Sequence, residues 1–416
     1  MRIDENGNWR SFRHRNFRIL FPANALSNIG TWVQIVAQDW LVLQLTDNNG
    51  FYLGLVTAIQ FVPVMLLSLH GGVLADRVDK RKLLIATNSL AALACYALGI
   101  LVVADLIALW HVFVCAGILG IASAIDAPIR QSFTAEIVGN ADVANAVSLN
   151  SANFNAGRLI GPALSGVLIA RFGTGPSFLI NATSYFFVIT SLLFMRSSDF
   201  FIQQKEKTLG TVREGLRYAM ARPDLYVVMF LIFFASTFGL NFQIFNALMA
   251  TKEFGKGPAS YGLLGTYVAI GSLAGALISA RLERFRDSML VVRLGFLFSL
   301  IVIALAFMPT YWSYSMWLPI GGVTALAMLI SANSYVQVNS DPAVRGRVMG
   351  IYLLIFLGGT PFGSLFIGYM TELVGVRETI FICGAIPLIA ASLLWVLFKD
   401  RLEKPDDLRV STVLRK

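Results

Sequence analysis

The chain has 416 residues, 56% of them hydrophobic and 14% charged, with a formal net charge of +9 and a mean hydropathy of +0.68. These proportions lie outside the range of a soluble domain, and apolar runs near ~20 residues long recur along the whole length, so the composition describes a membrane protein with no room for a sizeable soluble domain. Cys95, Cys115 and Cys383 lie far apart inside apolar runs, and His14, His70 and His111 are equally scattered, which argues against a disulfide framework or a zinc-type site. No glycine loop ending in Lys-Ser or Lys-Thr is present to cradle a phosphate, so neither ATP hydrolysis nor a cofactor is expected.

In chain order, Met1 to Arg18 mixes Asp4 and Glu5 with several arginines and shows no small-residue cleavage site after a short apolar core, so the first span is expected to remain in the mature protein. Apolar runs bounded by charge, proline or glycine predict spans at about 19–45, 51–75, 83–104, 110–133, 144–171 and 176–195. The one long polar connection follows. In it Thr211 and Glu214 form a Thr-x-x-Glu start, Leu209, Val212, Leu216 and Met220 share one helical face, and Pro223 ends the run, which predicts a helix lying along the inner membrane surface. Six further spans are predicted at about 224–250, 258–280, 289–308, 314–337, 348–371 and 378–398. The expectation is an all-α polytopic membrane protein of twelve transmembrane helices in two six-helix bundles, 1–196 and 224–416, joined by a linker at 197–223.

An even number of spans puts both termini on one side, and the basic residues say which. Arg2, Arg10, Arg13, Arg15 and Arg18, the cluster from Arg77 to Lys82, Lys205 to Arg222, Arg281 to Arg286, Arg345 with Arg347, and the tail from Lys399 to Lys416 all fall on one side; only Arg171, Lys252, Lys256 and Arg377 fall on the other. The termini are therefore expected in the cytoplasm, in a plasma (inner) membrane. The net positive charge faces anionic lipid, and no nucleic-acid partner is needed to explain it.

Two segments repeat. "GRLIGPALSG" from Gly157 and "GTPFGSLFIG" from Gly359 carry glycines at matching positions, 157, 161 and 166 against 359, 363 and 368, each in the fifth span of its half. Small residues at this spacing let helix backbones approach closely, and two repeated bundles around a midplane site are the architecture of a large transporter class.

With these features the chain resembles the major facilitator superfamily over essentially its whole length. The stretch Gly72-Val-Leu-Ala-Asp76-Arg77-Val-Asp79-Lys80-Arg81-Lys82 is similar to that family's loop between the second and third helices, with Asp79 where the family often has glycine. The second-half counterpart, "GALISARLERFR" from Gly275, keeps the glycine and the basic residues and lacks the acid. "DAPIRQ" at Asp126 to Gln131 followed by "GRLIGPALSG", with its Gly161-Pro162, resembles the drug and siderophore efflux branch, macrolide efflux proteins and enterobactin exporters among it. The resemblance implies that Gly72, Asp76, Arg77 and Arg81 form a cytoplasmic gating loop, in which Asp76 faces the N-terminal end of the eleventh helix near Arg345 to Arg347 and latches one state of the transport cycle. An ordinary positive-inside loop is the plainer alternative for the basic residues.

Charges within the spans are costly unless paired or hydrated, and four stand out. Asp39, after Gln34 and Gln38, is either a proton- or cation-binding acid lining a cavity or an outer-edge residue beside Trp40. Arg158 in the fifth span lies at a similar depth, so Asp39 and Arg158 are expected to approach each other, as a structural ion pair or as one that a substrate or proton separates. Asp126 and Arg130 are spaced i, i+4 at the inner part of the fourth span, with Pro128 between them, and can satisfy each other. Among uncharged groups, Asn241, Gln243 and Asn246 in the seventh span and Asn333, Ser334 and Gln337 in the tenth are candidate lining residues, accompanied by Phe238, Phe242 and Phe245.

The reading is a secondary transporter rather than an enzyme, exchanging small amphipathic molecules such as drugs or siderophore-like metabolites for protons by alternating access, and acting as a monomer. The outward direction comes from the resemblance alone, and an importer of a metabolite or lipid is the alternative. An integral-membrane enzyme would need clustered His, Asp or Glu near one face, and a transport-dead sensor would be expected to lose Asp39, Asp126 and Arg158.

Overall fold

The computed structural model describes residues 7–201, 212–281, 287–342 and 344–402, without the side chains of 68–77, 212 and 399–402. Among the described residues there is no strand, and the chain runs from helix to helix through short connections. After a 3-10 turn at Arg10–Arg13 come α1 (Arg15–Leu45), α2 (Gly50–Arg77), α3 (Lys80–Val103), α4 (Leu109–Phe172) and α5 (Gly175–Leu193). The sequence places a gap between spans at 133–144, yet helix continues to 138, because neither glycine nor proline interrupts it before Gly139. There φ is 71° and ψ 168°, a backbone that glycine alone adopts at low cost, and the Phe201 ring lies 3.2 Å from where a Cβ would stand. The 64-residue α4 is thus two limbs, 109–138 and 140–172.

After the linker come α6 (Val212–Ala221), α7 (Pro223–Phe234), α8 (Phe242–Leu248), α9 (Pro258–Arg281), α10 (Ser288–Ala306), α11 (Tyr311–Asn339), α12 (Arg345–Gly358), α13 (Thr360–Val374) and α14 (Val376–Leu402). π-helical turns at Ala235–Gly239 and Met249–Glu253 connect α7 and α8 into one apolar span, Pro223–Glu253, and α12 and α13 form another with a break at Gly359. Ten of the described helices are long and apolar enough to cross a membrane. One of these is the two-limbed α4, and α1, at 31 residues, has the length while amides such as Asn24, Asn28, Gln34 and Gln38 dilute its apolarity, so the set is consistent with twelve spans. The linker helix α6 buries Gly215 and Ala219, with Gly215 against Arg347 of α12, and leaves Leu216 and Met220 exposed; Arg347 also pairs with Glu214 at 2.7 Å. Leu209 and Thr211 lie outside the described residues.

By its contacts the chain divides into two compact units, Met1–Asn48 with Ile59–Glu206 and Lys256–Thr266, and Asn49–Ala58 with Lys207–Gly255 and Tyr267–Lys416. In the first, α1 packs against α4 and α5, and α3 against α4 and α5, over a core that includes Phe17, Leu84, Ile129, Phe133, Val188 and Leu192. In the second, α10 packs against α11 and α14, and α7 against α14.

The repeated glycines set the helix registers. A Cβ at Gly157 would stand 2.9 Å from the Asn28 carbonyl carbon, one at Gly161 would overlap Trp32, and one at Gly166 would lie 2.7 Å from the Pro258 oxygen. In the second copy, Gly359 and Gly363 press against Thr237 and Gly368 against the Gly50 carbonyl. Each copy therefore clamps the first span of its half with two glycines and a helix start with the third. Pro162 is part of the same contact, its carbonyl lying against Gly262 of α9. Cys95, Cys115 and Cys383 are buried free thiols.

Candidate functional site: a polar cavity in the first unit

α1 crosses the first unit with Asn24, Ser27, Asn28 and Thr31 at i, i+3, i+4 and i+7, a polar stripe on one helical face. That stripe lines a cavity of about 650 Å³, closed on its other sides by Thr87 and Asn88 of α3, Asp126, Arg130 and Gln131 of the first limb of α4, Asn150, Ser151, Phe154 and Asn155 of the second limb, and Tyr185 of α5. Its volume is within the range of small-molecule sites, and its lining is unusually rich in amides and hydroxyls for one within membrane spans.

The Asp126–Arg130 pair is its electrostatic centre. Arg130 donates through Nε to Asp126 Oδ2 at 2.7 Å and through Nη2 to Oδ1 at 3.0 Å, the bidentate geometry that i, i+4 spacing permits. Oδ1 also accepts from Thr87 Oγ1 at 3.0 Å and Asn88 Nδ2 at 2.8 Å, and Arg130 Nη1 donates to Asn24 Oδ1 at 2.6 Å. The network ties α1, α3 and α4 together across the cavity floor. Loss of the charge on Asp126 would release three donors at once, Arg130 among them.

Asp39 and Arg158 do not pair. Asp39 is buried and accepts a hydrogen bond from Tyr261 Oη at 2.6 Å, while the Tyr261 ring stacks on Trp40 at 6.3 Å. The Arg158 guanidinium lies over the Trp32 ring, 5.8 Å from its centroid. The register explains the separation: Gly157 and Gly161 seat against Asn28 and Trp32, so Arg158 falls beside Trp32, and Asp39 is seven residues, ~10 Å, further along α1. Gln34 and Gln38 join a buried amide chain from Asn181 to Gln34 (2.8 Å), Gln38 (3.2 Å) and Gln60 (3.1 Å).

The second-unit candidates do not line this cavity. Asn241 is buried and donates to the Thr237 carbonyl at 2.8 Å, Asn246 accepts from Tyr314 Oη at 3.0 Å, Gln243, Asn333 and Ser334 are half-buried, and Gln337 is exposed. Phe238 packs on Phe234 and Phe366, and Phe242 on Phe298. Gly72, Asp76 and Arg77, expected in a loop, fall instead in the last turns of α2, and the side chains of Asp76 and Arg77 lie outside the described residues. Their neighbours have local partners: Asp79 N-caps α3 by accepting from Lys82 N at 3.2 Å, Lys80 pairs with Glu136, and Arg81 caps the C-terminal end of α5 by donating to the carbonyls of Leu192 (2.7 Å) and Leu193 (2.8 Å).

Sequence reasoning missed the amides of the cavity, Asn24, Asn28, Asn88, Asn150 and Asn155, although the i, i+3, i+4 spacing of polar residues within an apolar span signals them. It also missed two buried acids at helix ends. Asp224 is held by Arg222 at 2.7 and 2.9 Å and by Tyr335 Oη at 2.9 Å. Asp142, just past the Gly139 break, is surrounded by Arg13 at 2.8 Å, His14 at 2.7 Å and Arg10 at 3.3 Å. Burial alone would push the Asp142 carboxyl up, but the hydrogen bond to His14 and the adjacent positive charges outweigh it and hold it below the usual carboxylate range.

A helical membrane bundle with a repeated glycine clamp, and with polar stripes from several spans converging on a small-molecule cavity, defines a solute transporter. The sequence matches the transmembrane secretion effector family over residues 6–414, and the chain belongs to that family, a branch of the major facilitator superfamily. It is 26% identical over 372 residues to a staphyloferrin A transporter of Staphylococcus aureus, covering 88% of this chain and 92% of that one. It is also 26% identical over 405 residues to the multidrug efflux pump Tap of Mycolicibacterium fortuitum, covering 93% and 96%. The fold is similar to that of a bacterial homologue of the human lysosomal transporter Spinster, with a TM-score of 0.76 at 15% identity over 96% of this chain and 98% of that one.

Proposed function

We propose that the protein exports small solutes in exchange for protons, with the cavity of the first unit holding the solute and opening alternately to the two sides of the plasma membrane. The observation that carries this reading is the Asp126–Arg130 pair on the cavity wall. Protonation of Asp126 would break its pair with Arg130 and release the Asn88 and Thr87 donors, loosening the wall that holds the solute; loss of the proton would restore the network and the solute's hold, so that proton and solute bind in alternation, as exchange requires. Asp39, with Tyr261 as its donor, is the second candidate for the coupling acid. Siderophore-like or drug-like molecules are the solute classes that the relatives named above suggest. The concentration of basic residues on the terminal side of the spans supports cytoplasmic termini.

The test uses everted vesicles containing the protein, energised to be acid inside, with lumenal pH followed by a dye as amphipathic drugs and siderophores are added. Solute-induced proton release from the wild type that disappears in Asp126→Asn is the expected result. Release that persists in Asp126→Asn and vanishes in Asp39→Asn moves the coupling to Asp39, and absence of release with every solute in the wild type overturns proton-coupled export.

A further inference from the structure

Arg158 has no hydrogen-bond or ion-pair partner among the described residues, although it sits within a membrane span, where an uncompensated guanidinium is costly. Its place on the helix accounts for this. Asn150, Ser151, Phe154 and Asn155 of the second limb line the cavity, and three or four residues further along the same face comes Arg158. The other arginine of the cavity, Arg130, is neutralised by Asp126. Arg158 is not itself a lining residue, but its positive charge stands one helical turn beyond the lining residues Phe154 and Asn155, over the Trp32 ring that packs on Phe154, and that ring compensates only part of what a carboxylate would.

We infer that Arg158 is an anion-binding subsite of the cavity and that the transported solute carries a carboxylate or comparable anionic group. This rests on the reading of the cavity as the solute site. A guanidinium presents its donors in a planar fork that a carboxylate meets with two parallel hydrogen bonds, and here no acceptor among the described residues competes with the ligand for that fork. Trp32 fixes the guanidinium from one face, and the edge-on Trp32–Phe154 pair, 6.0 Å between centroids, gives an apolar wall beside it for the ligand's body. A cationic solute would meet like charge at the same place. The site thus discriminates by charge sign, not by size.

The probes are three naphthalenes with a common ring and an anionic, neutral or cationic substituent, 2-naphthoate, 2-naphthamide and 2-naphthylmethylammonium, titrated calorimetrically into the full chain in lipid nanodiscs. Naphthoate is expected to bind about tenfold or more tighter than the other two, the worth of a hydrogen bond to a charged group. Arg158→Gln removes that preference while leaving naphthamide within about twofold of wild type, and Arg158→Lys keeps part of it. Binding of all three is expected to weaken in Ser151→Trp, whose indole takes up part of the cavity. Preference for the ammonium, or an order unchanged in Arg158→Gln, overturns the inference and leaves the cavity reading standing. Binding of none by the wild type, or affinities for all three unchanged in Ser151→Trp, overturns the cavity reading and the inference with it. If Arg158→Gln binds no probe, Arg158→Lys decides, with retained preference for naphthoate supporting the subsite and equal binding of the three overturning it.

Discussion

In the first unit Gly157 and Gly161 bring α4 against α1, and near that contact α1 turns Asn24, Asn28 and Thr31 into an open cavity. In the second, Gly359 and Gly363 bring α12 and α13 against the turn after α7 in the same manner, but the neighbours there are Phe234, Phe238 and Phe242, and the nearby amide, Asn241, spends its donor on the Thr237 carbonyl. The two copies share a backbone solution because close approach of helices needs only the absence of side chains, which glycine supplies whatever the surroundings. They differ in polar content because hydrogen-bonding groups persist within apolar spans only where a partner, water or ligand meets them. The repeat preserves geometry, and the polar cavity described above belongs to the first unit.

Charge neutralisation breaks this comparison most sharply. Asp126→Asn is expected to abolish solute-coupled proton movement while the protein keeps its melting temperature to within a few degrees, since the released Arg130 is partly exposed to the cavity and can be hydrated there. In the second unit Asp224→Ala, at the start of α7, is expected to act on stability instead, by about 3 kcal/mol, because it strands Arg222 and Tyr335 at a buried site. Thermal unfolding in detergent beside the vesicle assay separates the two. A large stability loss in Asp126→Asn, or loss of coupling with intact stability in Asp224→Ala, would reverse the division of labour.

The glycine clamps come next. Gly363→Ala and Gly161→Ala are each expected to cost about 1–3 kcal/mol by overpacking, the first more than the second. At 363 the obstacle is the Thr237 backbone carbonyl; at 161 it is the Trp32 Cβ, equally fixed to its own helix but overlapped less. Equal melting temperatures for the two variants would mean that the copies are as alike in rigidity as in sequence.

Much of the fold could be read from the sequence, because apolar runs of membrane length and the three matched glycines are signals carried by consecutive residues. The Asp126–Arg130 pair was legible for the same reason, its partners standing one turn apart on one helix. What could not be read was register between helices. The expectation that Asp39 meets Arg158 used depth alone, and depth does not say that Gly157 seats on Asn28 and thereby hands Arg158 to Trp32, or that Tyr261, more than two hundred residues away in sequence, reaches Asp39. The loop arginine Arg81 is similar: a basic residue after a span reads as topology, and only the end of α5 beside it shows two carbonyls to cap.

The smallest effect concerns the strap before α1. Arg10, Arg13 and His14 close on Asp142, and Ser11 Oγ donates to Asn145 Oδ1 at 2.6 Å, so the strap holds the start of the second limb of α4 beside the break at Gly139. Asp142→Asn is expected to lower stability at pH 7 by about 1 kcal/mol, a modest figure because Arg10 and Arg13 remain partly exposed. Its pH dependence has a fixed sign. The folded carboxyl titrates below its unfolded value near ~3.9, so the difference between wild type and variant is full above about pH 5 and disappears as pH falls through the lowered value. Melting temperatures of the two proteins should therefore run parallel from pH 7 to 5 and converge in more acidic buffer. Convergence on the alkaline side would mean that the strap is held by its basic groups' own titration and not by the ionised Asp142.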